Sequence, residues 1–142
     1  MGALHKRELL EEWRFRWTNT PNPMRSGFHP ANRIPPTLKP TERFTQTDRR
    51  TFSRLIQCRT GHAHIGEYYK KFVPTENMGC ACGTTTQTRE HIIKQCKRHT
   101  RHRHTLGHGR HAQLGRLMGT VKGIRKLCTF IKCSNMFDKD NS

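Results

Sequence analysis

Four residues of metal-binding type stand close together in the middle of the chain. Cys80 and Cys82 are separated by one residue, His91 follows after eight more, and Cys96 closes the series after another four. Thiolate sulfur and imidazole nitrogen are ligands that Zn²⁺ prefers, and Cys₃His is a common tetrahedral set in structural sites. Gly79 and Gly83 bracket the Cys-x-Cys turn, where the backbone would have to reverse around an ion. Four protein ligands leave no coordination position for water, so such a site holds structure and activates no nucleophile. The spacing also imposes a condition. Residues five apart lie about 140° around an ideal α-helix, so the helix carrying His91 must end or distort near Cys96. The competing reading makes Cys80 and Cys82 loop thiols, His91 a helix-surface residue and Cys96 a small core residue.

A second chemistry follows directly. Residues 97–111 read KRHTRHRHTLGHGRH, a basic, histidine-dense run broken by Gly107 and Gly109. Lys94, Lys97, Arg98, Arg101, Arg103 and Arg110 are the candidate phosphate contacts. His99, His102 and His104 would add charge as the pH falls below about 6.5. The bland alternative is a solvated, non-specific charged face. The chain as a whole carries 27 Lys and Arg against 10 Asp and Glu, a formal charge of +17. That balance predicts a polyanionic partner, RNA or DNA.

Other chemistries find little support. A two-metal nuclease needs several converging carboxylates, and the ten acids here are scattered among basic helical patterns. No P-loop, G-x-S-x-G or H-E-x-x-H occurs. His62 and His64 are read as capping or packing residues rather than ligands. Cys58, Cys128 and Cys133 lack a partner at ligand spacing and are read as buried or incidental thiols. Trp13 and Trp17, four apart on a helical pattern, are read as core rather than as base-stacking platforms.

The elements that must position these groups are helical. Leu9, Trp13 and Trp17 predict an N-terminal helix over 1–17, and residues 18–46 hold six of the seven prolines and read as an extended linker. Thr47 is the expected cap of a helix from Asp48 to about Arg59, and a second short helix is expected over about His62 to Phe72. Thr86 or Thr88 then caps a helix running to Cys96. Residues 47–111 thus form a helical zinc-knuckle module with its basic run, and 112–142 a C-terminal helix and tail. In that last segment Leu114, Leu117, Met118, Val121, Ile124, Leu127 and Ile131 describe one helical stripe. The expected fold is mainly α, small and irregular. Leu, Ile, Val and Phe make only 25 of 142 residues, below the roughly 20% typical of self-sufficient cores. A metal staple would offset that shortage. No stretch approaches a membrane span and the charged N-terminus is no signal peptide, so an intracellular address, nucleus or cytoplasm, with reduced thiols is expected.

Three ordered segments carry a resemblance. Gln57-Cys58-Arg59-Thr60-Gly61-His62 resembles the "lRTGH" that follows the ribonuclease H domain in LINE-type (non-LTR) retrotransposon polyproteins, especially of fungal genomes. Cys80-Ala81-Cys82-Gly83, then Gln87-Thr88-x-Glu90-His91 and Cys96, is similar to the zinc-knuckle-like element that comes next there. Leu117-Met118-Gly119-Thr120-x-x-Gly123-Ile124, followed by Leu127, Phe130, Ile131 and Phe137, resembles the closing segment. The resemblance implies the C-terminal tail of such a polyprotein, or a gene relic of one, with Cys80, Cys82, His91 and Cys96 as the metal set. Many relatives have two residues between the first cysteines, and Cys-Pro where this chain has Cys96-Lys97. No reverse transcriptase or ribonuclease H carboxylate matches, so catalysis is not implied for this chain. The expected function is zinc-stabilised nucleic-acid binding beside reverse transcriptase and ribonuclease H domains. The alternatives are a protein-interaction scaffold docking another domain without nucleic acid, and an enzyme fragment that needs a missing catalytic partner.

Overall fold

Asp48, rather than Thr47, starts the first helix of the central region. Its carboxylate accepts hydrogen bonds from the Thr51 amide at 2.9 Å and the Thr51 hydroxyl at 2.8 Å, which satisfies donors that the first helical turn leaves open. The computed structural model describes residues 2–19 and 47–139. The expected linker, from residue 20 onward, and Asp140–Ser142 lie outside the described residues, as does the side chain of Arg110. Helix α1 is Ala3–Asn19, α2 is Arg49–Thr60 and α3 is Gly66–Phe72. A π-helical turn, His91–Gln95, leads into a 3₁₀ helix, Lys97–Leu106, and a shorter one, Gly109–Ala112. Helices α4, Leu114–Gly119, and α5, Val121–Ser134, complete the order. The protein is mainly helical, and its β-pairing among the described residues is one isolated bridge between Gly79 and Thr86.

Helix α2 ends where Gly61 takes a left-handed conformation at φ 76°, with Gly61 N–H donating to Cys58 O and His62 N–H to Gln57 O. This paired closure is a standard way to satisfy terminal carbonyls and favours glycine. It turns the chain so that residues 62–65 cross the core before α3 begins. Ala63 and Ile65 are buried on that crossing, so α3 starts at Gly66 rather than near His62. A side chain at Gly66 would put Cβ 1.9 Å from Met78 O; only glycine lets the knuckle lie against this helix.

The expected single C-terminal stripe is cut at Thr120, which is extended at φ −129°, ψ 155°. Its hydroxyl donates to Arg116 O at 2.7 Å and accepts from Gly123 N–H at 3.0 Å, ending α4 and capping α5 at once. Gly123 brings the two helices together, since a Cβ there would sit 1.9 Å from the Arg116 carbonyl oxygen. The apolar stripe survives the break and folds onto itself. Helix α5 packs against α2, α4 and the long 3₁₀ helix. Leu55, Ile65, Ile92, Leu106, Leu117, Ile124, Phe130 and Phe137 are fully buried between them. Three arginines, of which Arg54 is buried, tie the layers. Arg54 and Arg50 hold Asp138, the latter at 2.6 Å, and Arg59 Nε donates to Met118 O at 3.0 Å.

Helix α1 forms as expected, but it buries nothing. Trp13 is 47% exposed, Phe15 68% and Trp17 39%, so the two tryptophans are not core residues. The reason lies in the pattern: Phe15 stands off the Leu9–Trp13–Trp17 stripe, and the helix is supported by i,i+4 pairs such as Arg16–Glu12. Among the described residues no helix is long and apolar enough to cross a membrane.

Candidate metal centre and basic segment

The knuckle is built by a short reversal. Cys80 N–H donates to Thr85 O at 2.8 Å, Gly83 N–H to Cys80 O at 2.9 Å, and Gln87 N–H to Met78 O at 2.9 Å. Gly83 takes φ 81° at the tip, a left-handed conformation that a side chain would strain. This turn presents both Cys80 and Cys82. The other two ligands come from the helix that follows, where the Thr88 hydroxyl accepts from His91 N–H at 3.0 Å.

The distortion demanded by the His91–Cys96 spacing is present. The backbone widens into a π turn, and Cys96 N–H donates to His91 O at 2.8 Å, an i→i+5 closure. That geometry stacks residues five apart on one face, and Cys96 itself is already extended at φ −60°, ψ 123°. All four ligand atoms lie within 4.8 Å of one another. Cys80 Sγ is 3.6 Å from Cys96 Sγ, and Cys82 Sγ is 3.2 Å from His91 Nε2. A tetrahedron with Zn–S of about 2.3 Å and Zn–N of about 2.0 Å has edges of about 3.8 Å between sulfurs and about 3.5 Å between sulfur and nitrogen. The donor set therefore fits a metal ion of that size and preference. Cys80, His91 and Cys96 are buried and Cys82 is half-exposed.

The electrostatics of the four groups differ. Hydrogen bonds from the Thr84 hydroxyl and backbone, with help from Cys80 and His91, pull the Cys82 thiol down to about 6. Burial pushes the Cys80 thiol up to about 11. A dication would override both, because a coordinating thiol is deprotonated outright. His91 Nδ1 is buried without a hydrogen-bond partner among the described residues, so the ring's polar engagement lies on the cluster side.

The histidine helix is anchored from the opposite side by Arg89. Its guanidinium donates to both Glu67 carboxylate oxygens and to Cys58 O at 2.9–3.0 Å, and its amide also donates to Glu67. Burial raises the Glu67 carboxyl, but the Arg89 hydrogen bonds outweigh it and hold the group below its ordinary value. The guanidinium lies against Gly61, where an added Cβ would meet it at an ordinary contact distance of 3.6 Å. Sequence reasoning missed this pair. The signal available was Arg89 inside the knuckle motif itself, next to Glu90. Cys58, beneath it, is fully buried and its thiol is pushed up to about 12, so it is a core residue as expected. His62 packs, with its ring stacked on Phe72 at 5.5 Å and Nδ1 near Thr60 O.

The basic run splits into two populations. Lys94, Lys97, Arg98 and Arg101 are exposed beside the cysteine–histidine cluster, Lys94 pairing with Glu90 at 3.0 Å. Arg103 is turned inward: Nε donates to Ile93 O at 2.9 Å and Nη2 to Cys96 O at 2.6 Å. It thereby satisfies carbonyls that the π turn leaves open. His99 is 5% exposed, packed edge-on against Phe130. Burial and the nearby Arg98, His102 and Arg103 charges press it down to about 4. His99 therefore does not supply charge near pH 6, contrary to expectation.

Compared with known proteins, the chain is similar to a retrovirus-related Pol polyprotein from type-1 retrotransposable element R1 of Popillia japonica. The two are 27% identical over 94 residues, 63% of this chain and 38% of that sequence. The similarity supports an origin in a retrotransposon Pol polyprotein, of which this chain spans well under half the length. No family model and no solved structure matches the chain.

Proposed function

We propose that this chain is the zinc-stabilised nucleic-acid-binding tail of a LINE-type retrotransposon reverse transcriptase/ribonuclease H polyprotein of fungal type, or a gene relic of one. The observation that carries the reading is the convergence of Cys80, Cys82, His91 and Cys96 immediately before an exposed basic segment. Zinc in that donor set would be fully ligated by protein and would fix the π turn that carries Lys94 and the start of the 3₁₀ helix that carries Lys97, Arg98 and Arg101. Its role is structural. The activity assigned to the chain is phosphate binding that holds RNA or DNA near the polymerase, with no catalytic step of its own.

Affinity for one single-stranded oligonucleotide, measured across salt concentrations, tests this. Each phosphate contact contributes roughly −0.7 to the slope of log K against log salt on single strands, so four contacts give a slope of about −3. Replacing Lys97, Arg98 and Arg101 with Ala flattens the slope by about 2 and weakens all sequences alike. An unchanged slope moves the binding surface elsewhere. A scaffold reading has one observation in its favour, the exposed Trp13, Phe15 and Trp17 of α1. It predicts no nucleic-acid binding even at low salt.

A further inference from the structure

The basic segment borders an open-mouthed cavity as well as carrying charge. Between the π turn, the long 3₁₀ helix and the approach to α4 lies a cavity of about 490 Å³, lined by Ile93, Thr100, Arg103, His104, His108 and Gln113 among others. Its size lies within the range of small-ligand sites. Ile93 lies beneath the floor, only 1% exposed, and supports the lining rather than offering a face of its own. Arg103 contributes a guanidinium whose plane is fixed by the Ile93 and Cys96 carbonyls. A fixed guanidinium plane is a surface on which a nucleobase stacks. The groups around it suit a base edge: the Gln113 amide, the Thr100 hydroxyl, and His104, whose Nδ1 is held by Arg101 O at 2.8 Å and whose Nε2 remains. Lys94 also lines the cavity, with its side chain 38% exposed, where a flanking phosphate would meet it.

We propose that this cavity takes one unpaired base of a single-stranded nucleic acid, with neighbouring phosphates on Lys94 and the exposed arginines. The inference rests on the nucleic-acid reading above and adds the substrate class. A paired base is stacked inside its duplex and enters such a cavity only after unstacking, which costs free energy. Arg103 then serves as a fixed wall against the base rather than as a phosphate contact.

The test uses the full zinc-loaded chain and three probes of equal phosphate number: a short single strand, its abasic counterpart, and a duplex. The single strand should bind about tenfold more tightly than the abasic strand, the scale of one stacked base. Ala112→Trp, which places bulk at the cavity wall without changing charge, should cut that ratio to about twofold and leave the salt slope intact. Gln113→Ala, at an exposed position, should move the ratio in the same direction with little risk to folding. Equal binding of abasic and normal strands overturns the inference and leaves the phosphate-binding reading standing. So does a ratio unmoved by both variants. Binding of none of the probes at low salt overturns the nucleic-acid reading itself. Adenosine monophosphate binding as tightly as the strand would make a free nucleotide the ligand, and would also overturn the inference.

Discussion

At the scale of single residues, the convergence of the four possible metal donors was legible because zinc chemistry restricts donor types and spacing so tightly. Two thiols on a glycine-bracketed turn, then a histidine and a third thiol, leave few other uses in a reduced chain. The residues that brace the set were not legible. Arg89 and Glu67 are 22 positions apart, and nothing in their local patterns says that one closes over the other. Replacing Glu67 with Gln leaves the buried guanidinium without its carboxylate. We expect a loss of about 2 kcal/mol of unfolding free energy, below the full cost of a broken buried pair because Glu67 is part-exposed. Denaturant titration reads it. The pH dependence has a definite sign. The folded carboxyl titrates below its ordinary value of 4.5, so the pair stabilises the fold at neutral pH, and that contribution is lost as the pH falls from 4.5 through the lower folded value. The Gln variant should show a smaller acid-side loss than the parent. A parallel acid profile in the two proteins would remove Glu67 from the account.

At the scale of elements, periodicity identified the α-helices but missed their breaks, and it did not show the 3₁₀ helix Lys97–Leu106 inside the basic run. The stripe from Leu114 to Ile131 has one period throughout, yet Thr120 divides it, because a capping hydroxyl and a close glycine contact are decided by three-dimensional approach. Gly123→Ala should cost about 2 kcal/mol or more, since the added methyl meets the Arg116 carbonyl and the helices must part. Thr120→Ala should cost about 1 kcal/mol through the lost cap. A neutral Gly123→Ala in thermal unfolding would mean that α4 and α5 are not in contact there. The His91–Cys96 interval was different: the metal reading itself required a distortion, and the π turn supplies it. Such turns are rare and inferior to α geometry unless something holds them. We therefore expect the Cys96 amide, bonded to His91 O, to exchange slowly with zinc bound and at least tenfold faster after chelation, a change of about 1.4 kcal/mol in local opening. Exchange unaffected by chelation would show that the turn holds itself.

At the scale of the whole molecule, composition pointed to a polyanion partner and understated the core. Twenty-five large aliphatic and phenylalanine residues are few for 142, but those within the described 47–139 are concentrated on facing helices, and Met118, Met136, Cys58 and Cys96 add buried volume that this count omits. The tryptophans on α1 went the other way: large apolar side chains at helical spacing do not guarantee burial. What remains is a small helical core, a charge of +17, and a four-donor cluster joining the knuckle to the basic segment. The central claim is that one zinc ion makes that join. It is tested most directly by metal analysis of the intact chain, purified without added zinc, alongside a Cys80→Ser/Cys96→Ser variant. The account predicts about one equivalent of zinc in the parent and none held by the variant, because removing two of four ligands leaves too few to close the site. A parent without zinc, or a variant that keeps it, would contradict the account.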